Sequence, residues 1–188
     1  MPQPQTRVAA DPRPLTGEPL CLDLLNTRWI DDAGPHDLLE STDGLATWLH
    51  TAGLHHRAPA SAETLQALLD TRETLLALVK GEHSPQARSA LNAVLAHGAV
   101  HHSLASHGPE AHESTDEPHW LPAWLAAADY LKLLDAAPGR IKHCGNCILH
   151  FYDTTKNGTR RWCSMAICGN RAKAARHYER TRTRSDRR

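Results

Sequence analysis

Apolar residues recur along most of this chain at helical spacing. Leu45, Trp48 and Leu49 share one face behind the capping pair Ser41/Thr42, and Gly53 closes the segment. Ser61 caps a longer one, in which Leu65, Leu68, Leu69, Leu76 and Val79 follow at i, i+3, i+4, i+11 and i+14 up to Gly81. Ser84-Pro85, a cap with proline at the first helical position, opens a third through Leu91, Val94 and Leu95 to Gly98. Trp120, Trp124, Leu125, Ala128, Leu131 and Leu134 define a fourth, which stops at Ala136-Ala137-Pro138-Gly139. Between the last two the period changes to two. Val100, His102 and Leu104 alternate and Gly108-Pro109 turns, which predicts a β-hairpin within 99–117. Leu20, Leu22 and Leu24 also alternate, but Leu25 breaks the pattern, so this segment reads as a short strand or a helix start.

Composition agrees with the helical pattern. The 188 residues include 25 Leu and 27 Ala against 4 Val and 4 Ile, and β-branched residues are the ones that favour sheets. The expected fold is mainly α, in the α+β sense: a helical domain with a small hairpin, followed by a small cysteine-bearing unit. No apolar run approaches the roughly 20 residues of a membrane span. Met1–Arg7 carries no apolar stretch, so a cytoplasmic, reducing location is expected, where disulfides are rare.

Charge divides the chain more sharply than composition does. Residues 1–138 carry 8 basic and 18 acidic side chains, whereas residues 139–188 carry 13 basic and 3 acidic ones. The overall net charge of zero thus conceals halves of −10 and +10, and a basic module of this kind usually meets a polyanion. The expected organisation is an irregular arm over 1–16, a helical domain over 17–138, a finger over 139–181 and a basic tail over 182–188.

The basic half holds four of the five cysteines, as Cys144-x2-Cys147-x15-Cys163-x4-Cys168. Gly145 permits the tight knuckle that lets two thiolates reach one cation, and four thiolates suit tetrahedral Zn²⁺. Iron shares the spacing, and a redox Cys-x-x-Cys would leave Cys163 and Cys168 unexplained. His143 and His150 flank the site without fitting a ligand role. Ile148–Tyr152 reads as a strand, Asp153–Gly158 as a turn and Thr159–Trp162 as the return strand; Ser164 caps a helix through Ala166 to about Tyr178. Knuckle, hairpin and a ligand at a helix start form a treble-clef-like plan, with Phe151 and Trp162 packed over the metal.

The acidic half offers less chemistry. Six of the 14 histidines lie in 97–119, but their spacing fits a polar exposed hairpin better than a second metal site. Asp23, Asp31 and Asp32 read as structural, and Cys21 as a buried thiol. Asn26 and Arg28 could order a turn or line a ligand pocket. No phosphate-binding glycine loop, Gly-x-Ser-x-Gly or His-Glu-x-x-His is present, which argues against an enzyme with its site in residues 17–130.

Cys163-Ser-Met-Ala-Ile-Cys168-Gly169-Asn170-Arg171 closely resembles the CGNR zinc finger, and Asp153–Trp162 looks like that family's hairpin. The opening Gly17-Glu-Pro-Leu-Cys-Leu-Asp-Leu-Leu-Asn-Thr resembles the ABATE domain that usually precedes this finger in bacteria. The resemblance implies one zinc on Cys144, Cys147, Cys163 and Cys168, and a stress-induced transcription regulator. The leading expectation is therefore a DNA-binding regulator whose acidic domain senses a small-molecule effector or mediates homo-oligomer formation. RNA or protein is the alternative partner, since treble clefs serve all three. On the C-terminal helix, Lys173, Arg176, His177, Arg180 and Arg184 fall within one stripe about 100° wide, with Arg171 on the opposite side. The expectation is that this ridge contacts phosphate, joined by Arg160 or Arg161 from an alternating strand, and that Arg171 is structural, holding hairpin or knuckle carbonyls.

Overall fold

The computed structural model describes residues 10–174. The described residues contain the helices α1–α5 and three two-stranded antiparallel sheets. In chain order they are α1 (Leu20–Leu25), β1 (Arg28–Asp31), β2 (Gly34–Asp37), α2 (Thr42–Thr51), α3 (Ala62–Val79) and α4 (Pro85–Leu95). There follow β3 (Gly98–Ala105), β4 (Gly108–Thr115), α5 (Leu121–Ala136), β5 (Ile141–His143) and β6 (His150–Tyr152). A π-type turn over Met165–Gly169 then leads into helical residues 170–174. Among the described residues no helix is long and apolar enough to cross a membrane.

Local chemistry starts three of the helices. The hydroxyls of Ser41, Ser61 and Ser84 accept from the backbone N–H of Gly44, Thr64 and Ala87 at 3.2, 3.3 and 3.1 Å, each satisfying a donor with no partner inside the helix. Helix α1 differs. Cys21, Leu22, Asp23, Leu24 and Leu25 are all buried, so the element is covered on every side and carries no amphipathic period. That is why Leu20/Leu22/Leu24 read equally as a strand. It sits centrally, against α3, α5 and β6. The small side chains of Ala123, Ala126 and Ala127 on α5 are fully covered there. Around this centre Leu45, Trp48, Leu68 and Leu75 are inaccessible and form one core.

Two ion-pair clusters, one buried on Asp23 and one half-buried on Asp37, hold the N-terminal half. Asp23 accepts from the Arg13 guanidinium at 2.7 Å, from the Trp48 indole at 3.0 Å and from the Gly17 N–H at 2.9 Å. The last residues of the expected irregular arm, Asp11 to Thr16, and Gly17 after them are thereby fastened to α1 and α2. Asp37 receives Arg72 on both oxygens, at 2.6 and 2.7 Å, and Arg28 at 3.0 Å. Burial opposes ionisation of Asp37, but the hydrogen bonds from Arg72 and Arg28 outweigh it and hold the carboxyl below its usual range. The β1–β2 pair has no counterpart in the sequence reading. The hairpin β3–β4 falls where expected, with Ala105 opposite Gly108 and Gly98 opposite Thr115.

Candidate metal centre

The finger starts with β5 and pairs across the knuckle. Ile141 lies opposite Tyr152 and His143 opposite His150, so β6 pairs with the strand before the cysteines. The expected return strand over Thr159–Trp162 is absent; those residues are in neither strand nor helix. The reason is Asp153. Its buried carboxylate accepts from the N–H and hydroxyl of Thr155 at 2.9 and 2.6 Å, from Arg160 N–H at 2.8 Å and from Lys142 Nζ at 2.8 Å. One side chain thus takes donors that a ladder would otherwise satisfy. Burial disfavours its charge, yet these hydrogen bonds hold its carboxyl far below the usual range.

Cys144 and Cys147 stand on the knuckle, Cys163 before the terminal turn, and Cys168 within it. Leu149 C=O accepts from Cys144 N–H at 2.9 Å, and Cys144 Sγ accepts from Cys163 N–H at 3.3 Å. Ser164 Oγ caps the turn by accepting from Ala166 N–H at 3.2 Å, as expected. A Cβ on Gly145 would meet the Trp162 ring at 3.1 Å, so the knuckle glycine leaves room for that indole. The four sulfurs lie within 4.8 Å of one another, and Cys147 and Cys163 approach to 3.6 Å. Ligands at 2.3 Å around a tetrahedral Zn²⁺ are about 3.8 Å apart, so the cluster fits one zinc. Cys144, Cys163 and Cys168 are buried and Cys147 is half-buried. The hydrogen bond from Cys163 lowers Cys147 to about 5, while burial first, and then that thiolate, push Cys168 up to about 11. Thiols this crowded share little negative charge among themselves, and a dication reverses that balance. When bound, zinc cross-links knuckle and terminal turn; four thiolates leave it no open position for catalysis. Among the described residues no histidine joins a metal-binding group.

Phe151, Leu149 and Trp162 pack beside the cysteines, and so do Trp29, Leu15 and Leu38 from the other half. Asn26 crosses the same boundary. Its Nδ2 donates to His150 C=O at 2.9 Å and its Oδ1 accepts from His150 N–H at 2.8 Å, pairing with the strand as a neighbouring backbone would. Glu18 accepts from Tyr152 N–H at 2.9 Å and from Arg160 at 3.1 Å. These contacts span more than 120 positions, and no local pattern signals them.

Several sequence expectations change here. Asn26 is fully buried and consumed by its clamp, so it lines no ligand pocket. Arg28 pairs with Asp37 and Glu73. Arg160 donates to Trp162 C=O at 3.0 Å, reaches Cys163 C=O and Glu18, and lies 4.2 Å from the Phe151 ring centroid. It is a structural residue of the finger, which removes it from the phosphate contacts. Arg171 reverses in the other direction: it is exposed, and among the described residues its side chain holds no knuckle carbonyl. Arg161 and Lys173 are exposed. Arg176, His177, Arg180 and Arg184 lie outside the described residues. Arg161, Trp162, Thr155, Thr159, Ser164 and Met165 line an open groove of about 550 Å³ beside the zinc site.

Residues 18–137, nearly two thirds of the chain, match the ABATE family, described as "Putative stress-induced transcription regulator". The chain belongs to the ABATE family. Residues 140–181 of this ABATE protein match the CGNR zinc finger, which covers all four zinc cysteines. Both family descriptions point away from an enzyme. No curated protein matches the sequence.

Proposed function

We propose that this ABATE protein is a transcription regulator whose CGNR finger binds duplex DNA, with the acidic half serving association or sensing. The observation that carries the reading is the segregation of charge: 13 basic against 3 acidic side chains after residue 138, on a unit whose zinc site has no catalytic opening. The groove beside the zinc supports it. Its lining includes the exposed Arg161, the Trp162 ring 5.9 Å from that guanidinium, three hydroxyls and no carboxylate, a set suited to a sugar–phosphate backbone. Arg161, Arg171 and Lys173 form the described part of the contact surface; Arg176, His177, Arg180 and Arg184 follow them in sequence, outside the described residues. Such a protein works at the nucleoid, in the cytoplasm.

The test is a salt series of duplex binding by fluorescence anisotropy. With 4–5 phosphates neutralised at ~0.9 per contact, log K against log salt slopes near −4. Arg161→Ala, Arg176→Ala and Arg180→Ala each flatten that slope by about 1 while zinc content is retained. A slope unchanged in all three variants overturns the contact surface. Tighter binding to RNA of the same length at each salt concentration moves the reading to RNA.

A further inference from the structure

Hairpin β3–β4 projects from the helical domain, meeting it chiefly where β3 leaves α4 and β4 returns to α5. Most of its residues are exposed, Leu104 to 84% and Val100 to 44%. A two-stranded hairpin with neither face covered is marginal by itself in water.

Its two edges differ. Ala105 and Gly108 flank the two-residue turn and form a hydrogen-bonded pair, so pairs alternate from there. Pro109, opposite Leu104, has no N–H and fits the outward-facing phase. By the same parity the main-chain groups of Val100, His102 and Leu104 point away from β4, and their side chains share one face. The β4 edge presents Pro109, which cannot donate, and Glu113, which is charged; natural sheets block edges in just these two ways. The β3 edge has neither block. Gly98–Ala105 contains no Asp, Glu, Lys or Arg, so two copies of it meet without carboxylate, ammonium or guanidinium groups, whereas the β4 edge carries Glu113, ion-paired with Arg57, and Pro109 in the same phase.

We propose that β3 pairs antiparallel with β3 of a second copy, about a two-fold axis through His102, giving a four-stranded sheet β4–β3–β3–β4. In that register Val100 lies opposite Leu104 of the other copy, twice. An edge that matches itself in hydrogen bonds and in side chains makes an isologous contact, which closes at two copies.

Sedimentation velocity of the full-length, zinc-loaded protein over about 1–100 µM tests this. The expected result is a dimer, with Leu104→Lys raising its dissociation constant at least about tenfold. Leu104 supports no core, so zinc content and circular dichroism should be unchanged. His102→Cys adds a second readout. A hydrogen-bonded pair on the axis has Cα atoms about 5.5 Å apart, within disulfide range. Diamide should therefore cross-link this variant to a dimer and leave the wild-type chain uncross-linked. A monomer at 100 µM, a dimer indifferent to Leu104→Lys, or no cross-link above wild type would each overturn the proposal.

Discussion

Asn26 and His150 show how much a single pair can carry. The Asn26 amide supplies one donor and one acceptor to the buried backbone of β6. Truncation leaves both His150 groups unpaired where water cannot replace the lost bonds. Asn26→Ala should cost roughly 2–4 kcal/mol, at 1–2 per unsatisfied group, measured by urea denaturation. Unchanged stability would mean that the clamp does not hold the halves together. The His150 ring gives the same position a pH dependence. Burial, with His143 at its edge, lowers it from 6.5 to about 4. The unfolded chain therefore binds a proton that the folded chain refuses between about 6.5 and 4. Stability is present above that window and falls as pH drops through it. His150→Leu should flatten the stability profile there by an amount on the order of 2–3 kcal/mol. Equal slopes for variant and wild type would contradict this.

At the scale of elements, legibility followed the range of the interactions. The caps at Ser41, Ser61 and Ser84 were readable because a hydroxyl and an N–H three residues on suffice. The hairpin at 99–117 was readable because its period is local. β1–β2 and β5 were not, since nothing within either segment announces its partner. The return strand at Thr159–Trp162 failed for a different reason: Asn157-Gly158 does mark a turn, with Gly158 at φ +60°, but Asp153 takes its donors. The four cysteines were legible as a metal site from spacing, with iron sharing the pattern, whereas neither strand alternation nor a helical wheel gave a sign that Arg160 is held by Glu18 and nearby carbonyls while the Arg171 side chain stands exposed. Trp124 illustrates packing at this scale. Its ring covers Gly98, where a Cβ would come within 2.7 Å, and its indole donates to Leu95 C=O at 3.1 Å, joining α5, α4 and β3. Trp124→Ala should cost about 3–5 kcal/mol, checked by thermal unfolding; a loss below about 1 kcal/mol would place the side chain outside the core.

For the whole molecule the question is how far the zinc holds. Separate cores would let the finger melt alone. The cysteines instead share a core with Trp29, Leu15 and Leu38, and Ile141 and Tyr152 pack on the helical side. Zinc binding supplies folding free energy to small units of this kind, and the shared core gives that energy a route across the boundary. Cys168→Ser, or chelation of the roughly one zinc per chain, should abolish amide-exchange protection over residues 140–174. It should also lower protection in β1–β2 and shift Trp29 fluorescence toward that of an exposed indole. α3, α4 and α5, whose core contains none of the cysteines 144–168, should keep theirs. Trp29 is the discriminating reporter, because it belongs by sequence to the acidic half and by packing to the finger. If its environment is unchanged when the metal leaves, the two cores are energetically independent and the Asn26 and Glu18 contacts are incidental. If it follows the finger, metal loading alters the surface of both halves at once, and the finger cannot change its metal state unnoticed by the domain to which it is attached.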